Sequence, residues 1–347
     1  MSFWRSLIRW TVVVGTLVGC DGPAEEGKDT AASEDDTGGG GTGTLWRPAG
    51  EGTAYFADGA EDNSLFHLEL SRCNEPREGE AYYGWVSKGG EEPIAVGEIT
   101  VAGEEVYFEY DIGVNAIIQG FDTFEAWATD NGGTARDGEQ LWVGEVDPVV
   151  YGTIQTLLIA SPDTPDGQGS LRSVETAVQD IRVRGQEAVD APFDLESFQD
   201  DAEAIANALE GTSEDLNDDG TVSVIEGQLG VLNDAGYIGL ILLDLDAASA
   251  QVDPGNPIKD YVNYAYDCTQ AIESHARAAA IDADVTTICL AESSCESRMA
   301  DVLVELEYAL TGEDINEDGV LDELTEGTIE CAISYVSQLA QMTVATP

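Results

Sequence analysis

Hydrophobic and polar residues alternate over short runs in the first part of the chain. Between Trp46 and Val150, these runs are rich in aromatic and β-branched residues and are separated by clusters of Gly, Pro, Asn and Asp. This pattern is typical of strands joined by tight turns, and it predicts a small antiparallel β-sandwich. The predicted strands are Thr53 to Ala57, Leu65 to Leu70, Ala81 to Ser87, Ile94 to Val101, Glu105 to Asp111, Thr123 to Ala128 and Gln140 to Val146.

After about residue 150 the apolar residues recur at helical spacing, as Leu171, Val174, Val178 and Ile181 illustrate. Further apolar stripes predict helices over Phe198 to Leu209, over Leu229, Leu232 and Ile238 to Leu245, over Ile258 to Ala280, over Met299 to Leu310 and over Ile329 to Ala340. The fold class expected is therefore α+β with two domains. A sandwich over residues 46–150 precedes a helical bundle over residues 151–347 that carries two acidic loops.

The N-terminus has the pattern of an export signal. Arg5 and Arg9 precede an apolar run, Trp10 to Val18, which is too short to span a bilayer. The run ends in Leu-Val-Gly-Cys20, which resembles the lipobox of bacterial lipoproteins. That resemblance implies removal of residues 1–19 and acylation of Cys20. The alternative is an ordinary secretory signal with an incidental cysteine.

Residues 20–45 are acidic, contain four consecutive glycines and hold almost no apolar side chains. Such a segment cannot bury a core, so we expect a disordered tether. Together with the lipobox resemblance, this implies a protein of the bacterial cell envelope, attached to the membrane by its lipid on the periplasmic or cell-surface side.

The composition is strongly acidic, with 68 Asp and Glu against 14 Lys and Arg and a net charge of −54. This charge repels nucleic acid and anionic membrane surfaces, so no nucleic-acid partner is expected. It also destabilises the compact state unless cations screen it. A high-salt habitat is an equally good explanation of the acidity.

Residues 215–226 match the pattern D-x-[DN]-x-[DN]-G-x5-E and resemble an EF-hand calcium loop. The predicted oxygen ligands are the side chains of Asp215, Asn217 and Asp219, the carbonyl of Thr221, Ser223 directly or through water, and both oxygens of Glu226. The competing interpretation is an acidic surface turn, because Asp, Asn and Gly are common in such turns.

A second, less regular copy covers residues 314–326, and similar flanking residues indicate a duplication. Its predicted ligands are Asp314, Asn316, Asp318, the carbonyl of Val320, Asp322 and Glu326. The twelfth position is Thr325, so either the loop is one residue longer or Thr325 and Glu323 form a weaker shell. We therefore expect two Ca²⁺ sites.

The β region also carries three short motifs: Tyr83-Gly-Trp-Val86, Pro93 to Ile99, and Phe124-Glu-Ala-Trp127. Their order is similar to that in the extracytoplasmic domain of anti-sigma-K factors. The resemblance implies the sandwich fold. It does not extend to sigma control, because the chain lacks the zinc-binding helical domain and the spanning helix that such control requires.

Four cysteines lie in the helical part: Cys268, Cys289, Cys295 and Cys331. They allow three pairings. We favour Cys289 with Cys295 around a short loop, and Cys268 with Cys331 between two helices. A four-thiolate zinc site is the rival, but its C-x2-C pairs are missing. Cys73 is expected to be a buried free thiol or a partner for one of the four.

No catalytic motif is present, and the two histidines, His67 and His275, lie in strand-like and helical patterns where structural roles are common. The first hypothesis is a non-enzymatic, calcium-binding lipoprotein that contacts an envelope or extracellular protein or polysaccharide. The alternatives are a dockerin-like scaffold, because dockerin loops share the D-x-N-x-D-G core, and an envelope hydrolase with an unrecognised carboxylate site.

Overall fold

The computed structural model describes residues 50–57, 63–89, 91–130, 136, 138–313 and 328–347. Its strands are β1 (Glu51–Ala57), β2 (Leu65–Ser71), β3 (Glu80–Ser87), β4 (Ile94–Ile99), β5 (Glu105–Asp111), β6 (Thr123–Asp130), β7 (Glu139–Glu145) and β8 (Met342–Ala345). They form one antiparallel sheet in the order β4-β3-β6-β7-β8-β1-β2-β5. The edge strands β4 and β5 contact each other, so the sheet curls almost fully around.

Alternation along the strands decides which face is buried. In β1, Ala54 and Phe56 are buried inside the curled sheet while Tyr55 faces outward. The inner face is filled by large side chains that are completely or almost completely buried, among them Phe66, Phe124 and Trp142. The first seven strands lie where the alternating pattern places them.

The predicted two-sheet sandwich is wrong, because β8 joins the two groups of strands into one sheet. Without β8, the strands β4-β3-β6-β7 and β1-β2-β5 would share no ladder. Val344 of β8 pairs with Gly52 of β1 on one side and with Gly144 of β7 on the other. The sequence pattern predicts a helix as far as Ala340 and no strand in the four residues of β8.

The helices are α1 (Ala116–Gln119), α2 (Pro148–Ile154, continued by a π-helical turn over Gln155–Ile159), α3 (Ser170–Asp190), α4 (Leu195–Glu210), α5 (Tyr237–Gln251), α6 (Ile258–Thr287), α7 (Glu292–Thr311) and α8 (Ile329–Gln338). The long helix α6 is central and packs against α4, α5, α7 and α8. Residues 47–347 form one compact unit. The fold is therefore α+β, and the division at residue 150 stays a prediction.

Two cysteine pairs lie at disulfide distance, and they are the pairs that the sequence favoured. Cys268 and Cys331 join α6 to α8 with a Cα–Cα distance of 6.0 Å, and Cys289 and Cys295 close the turn between α6 and α7 at 5.5 Å. Cys73 is buried and forms no disulfide among the described residues. Burial raises the pKa of its thiol to about 11, so the thiol stays protonated at neutral pH.

Within the part of the chain that the structure describes, no helix has both the length and the apolar character needed to cross a bilayer. Cys20, the lipobox and the second loop, residues 314–326, lie outside the described residues.

Candidate metal centre

The first predicted loop follows α4, whose ends are set by local capping. The side chain of Asp194 accepts a hydrogen bond from the backbone N–H of Ser197 and begins the helix. Gly211, with a φ of 69°, ends it in the left-handed conformation that glycine adopts most easily. The chain then turns back toward α4 and enters the loop at Asp215.

Side chains in the first half of the loop curl inward and hold its backbone. Oδ2 of Asp215 accepts the N–H of Gly220 at 3.0 Å, and Oδ1 of Asn217 accepts the N–H of Asp219 at 3.1 Å. Oδ1 of Asp219 accepts the N–H of Thr221 at 2.6 Å. These three side chains are the ones predicted as the first ligands, and the structure links them through one tight turn.

One oxygen of this turn has no partner. Oδ1 of Asp215 is buried and makes no hydrogen bond among the described residues. A buried carboxylate oxygen without a donor costs free energy, and such groups are uncommon in folded proteins. A hard cation is the kind of partner that satisfies such an oxygen, so the residues of this turn fit a calcium ion.

Two buried residues of α4, which the sequence pattern does not predict as part of the site, hydrogen-bond the backbone of the loop. Glu203 is 0% exposed; its Oε1 accepts the N–H of Ser223 at 2.7 Å and its Oε2 accepts the N–H of Asn217 at 3.4 Å. Nδ2 of Asn207 donates to the carbonyls of Glu214 at 2.9 Å and Ser223 at 3.0 Å. Both ends of the ligand-bearing segment are therefore fixed to one helix.

Asp200, one turn earlier on α4, brings another carboxylate to the loop. Its Oδ1 accepts a hydrogen bond from Nδ2 of Asn217 at 2.9 Å. The pKa of Asp200 is raised overall. Burial raises it most, the hydrogen bond from Asn217 lowers it, and the negative charge of Asp219 raises it further. Asp200, Glu203 and Asn207 are spaced three and four residues apart, so their shared helical face was the available sequence signal.

The second half of the loop departs from the EF-hand pattern. Glu226 is exposed in a turn with Gly227, and it lines a small recess with Thr212 and Val224. The predicted helix over Leu229 and Leu232 is wrong, since α5 begins only at Tyr237.

Residues 229–232 do not form a helix because they pack on the end of α4. The backbone N–H groups of Val231 and Leu232 both donate to the carbonyl of Leu209, at 3.0 and 2.8 Å, so this stretch of chain caps α4 instead of forming a helix of its own. Gly230 has a φ of +88°, which also interrupts a helix here.

Among the described residues, no group of three or more His, Cys, Asp or Glu side chains is close enough to hold a metal ion. The hydrogen bonds of the loop nevertheless bring Asp215, Asn217, Asp219 and Thr221 into one turn, and Glu203 joins Ser223 to Asn217, whereas Glu226 lies in the exposed turn that follows. No protein-family model, curated protein or solved structure shows significant similarity to this chain.

Proposed function

We propose that this chain is a calcium-binding, lipid-anchored protein of the bacterial cell envelope, and that it acts as a non-enzymatic binding or structural module. The observation that carries the proposal is the buried, unpartnered Oδ1 of Asp215 at the first position of a loop that matches a calcium-binding pattern. The ion supplies positive charge to a chain whose net charge is −54.

In this proposal the ion is held by the side chains of Asp215, Asn217 and Asp219 with the carbonyl of Thr221, and by Ser223 and Glu226 where the loop closes. Support comes from Glu203 and Asn207, which hold the backbone of the loop in place through hydrogen bonds from α4. The remaining parts of the proposal are a second site over residues 314–326, the anchor at Cys20, and two domains divided near residue 150.

The cysteine pairs favour an oxidising compartment for the folded protein. Disulfides persist outside the cytoplasm and are rare inside it, so two pairs at bonding distance agree with an exported chain. The partner that we propose is an envelope or extracellular protein or a polysaccharide, and the acidity argues against nucleic acid.

Calorimetric titration of the full-length protein with calcium tests this proposal. We expect two sites with dissociation constants of about 10⁻⁵ to 10⁻³ M, the range of extracellular calcium modules. Asp215→Asn and Asp314→Asn should each remove one site. The matched control is Asp218→Asn, which removes the same charge from an exposed, non-ligand position whose φ of 60° asparagine tolerates.

The proposal fails if Asp215→Asn and Asp218→Asn give the same titration curve as the unsubstituted protein. It also fails if the protein melts at one temperature in EDTA and in calcium at matched ionic strength, because binding to the folded state must raise the melting temperature.

A further inference from the structure

A cleft of about 840 Å³ lies between the outer face of the sheet and the helices α3, α6 and α8. Its volume falls in the range of ordinary ligand-binding pockets. Tyr55 and Glu69 come from the neighbouring strands β1 and β2, Arg172 from α3, Tyr261 from α6 and Glu330 from α8. Side chains from five elements thus meet at one concave surface, about which the calcium proposal says nothing.

Two tyrosine rings in this cleft are held in place by other rings. Tyr55 stacks on His67 with centroids 4.9 Å apart and planes 9° from parallel. Tyr261 packs on Tyr335 with centroids 6.5 Å apart. Because neighbouring rings hold both tyrosines, a ligand that packs against them loses little side-chain entropy.

The charges in the cleft limit the class of ligand. Among the described residues that line the cleft, three carboxylates, from Glu69, Glu175 and Glu330, face one cation, Arg172, whose Nη1 is 3.1 Å from Oε2 of Glu175. The excess of negative charge disfavours phosphates and acidic sugars. The guanidinium of Arg172 offsets only part of this charge, so a cationic ligand is the main competitor of a neutral one.

The remaining polar groups of the cleft both donate and accept hydrogen bonds. They are the amides of Asn63, Gln338 and Gln341 and the hydroxyls of Thr53, Ser334 and Ser337. A neutral ligand with many hydroxyl groups matches such a lining, because each hydroxyl also donates and accepts. The apolar C–H faces of sugar rings match the flat faces of tyrosine, which are apolar with a polar edge.

The outer face of the sheet continues beyond the cleft onto β5. Tyr107 lies directly opposite Glu69 in the β2–β5 ladder and is 66% exposed. Its hydroxyl donates to Oε1 of Glu109 at 2.7 Å, and Oε1 of Glu109 is 3.1 Å from Nδ1 of His67. Tyr55, the buried ring of His67 and Tyr107 therefore form one aromatic row, in which the exposed ring of Tyr107 is free to contact a further sugar ring.

We infer that this cleft, with the aromatic row as its extension, binds a neutral oligosaccharide segment of an envelope or extracellular polysaccharide. The inference names the partner left open in the proposed function and rests on it for its location outside the cytoplasm. A basic peptide is the competing ligand.

The test is binding of the full-length protein, in a zwitterionic detergent without a sugar headgroup, to an array of neutral oligosaccharides, followed by calorimetry with the strongest hexasaccharide. A hexauronate and hexalysine are the charged comparison probes. We expect a neutral hexasaccharide to bind better than either charged probe. Tyr261→Ala and Tyr107→Ala should each weaken it roughly tenfold, whereas Tyr110→Ala, on the opposite face of β5, should not.

A second pair of variants distinguishes loss of sugar binding from loss of folding. Ser334→Trp places a bulky ring on the exposed face of α8 inside the cleft, and Ser297→Trp makes the same change on an exposed position of α7. Only Ser334→Trp should abolish sugar binding, with unchanged circular dichroism.

The inference is overturned if no neutral sugar on the array binds, if hexalysine binds best, or if both tryptophan variants behave alike. Calcium titration of the same samples separates these outcomes from failure of the proposed function, since a calcium site without sugar binding overturns only the inference about the cleft.

Discussion

At the scale of single residues, buried polar groups of α4 determine the shape of the first loop. The side chains of Glu203 and Asn207 are buried and hydrogen-bond backbone groups within residues 214–223, and Oδ1 of Asn207 also accepts from the hydroxyl of Thr212. Because these contacts join protein groups directly, they support the turn that presents Asp215 through α4 itself.

The substitution Glu203→Gln tests this support. An amide can accept with only one of its two polar atoms, so a buried N–H of the loop loses its acceptor and unfolding should become easier by about 1–3 kcal/mol. Urea unfolding in EDTA, followed by circular dichroism, measures this loss without any contribution from calcium. Glu210→Gln, at the exposed end of the same helix, is the control and should leave the midpoint nearly unchanged. Equal midpoints would show that Glu203 does not hold the loop.

The sequence predicted the loop residues but not their support, for a physical reason. Asp215, Asn217 and Asp219 follow a local pattern that one turn of chain imposes, so twelve consecutive residues suffice to recognise it. Glu203 acts through a contact across 20 residues with Ser223, which depends on how the chain folds back on α4. The exposed position of Glu226 depends on the same tertiary fold-back, and the pattern alone could not show it.

At the scale of elements, the packing of α6 against α7 brings carboxylates together. Burial raises the pKa of Asp282 on α6, and the charges of Asp301 and Glu305 on α7 raise it further, while Arg298 lowers it. Above the ordinary pKa of 3.8, the folded state therefore holds this proton more tightly than the unfolded state does. The free energy of unfolding then falls as pH rises from about 4 through the raised pKa, and the loss persists at neutral pH.

Asp282→Asn should remove this loss. We expect the variant to be more stable at pH 7 by roughly 0.5 kcal/mol, the scale of partly screened surface charges. We also expect its stability to decline less between about pH 4 and the raised pKa. Urea unfolding at a series of pH values measures both effects. Asp267→Asn, at an exposed position of α6, provides the comparison. If both variants show the same pH profile, repulsion between α6 and α7 is not the cause.

Most strands and helices can be predicted from the local spacing of hydrophobic residues alone. Seven strands and the helices α3, α4, α6, α7 and α8 follow from alternating or helical spacing, since each run is long enough to bury one face. The strand β8 has four residues directly after a helical stripe, and its conformation is set by its two partner strands rather than by its own pattern.

At the scale of the whole molecule, β8 connects the strands of the first 145 residues to the helices that follow them. Met342 and Val344 are completely buried, while Thr343 between them is exposed. Since β8 bonds to both β1 and β7, its loss should open the sheet and weaken the helical part that leads into it.

Met342→Ala should therefore lower the free energy of unfolding by about 2–5 kcal/mol. The three tryptophans of the described residues, Trp85, Trp127 and Trp142, all lie in the sheet, so the change in tryptophan fluorescence reports on it. Circular dichroism at 222 nm reports on the helices. We expect one transition that shifts equally by both probes, with Thr343→Ala close to the unsubstituted protein. A shift of the fluorescence transition alone would instead show two independent domains.

The position of β8 in the chain has a consequence for biogenesis. Translation delivers β1 and β7 early, but the strand that fits between them arrives only after residues 146–341. Until then both neighbours carry unpaired N–H and C=O groups, which are open to wrong pairing with other chains. Such a distant closing contact is entropically slow to form, so a chaperone that shields nascent strand edges should raise the yield of native protein.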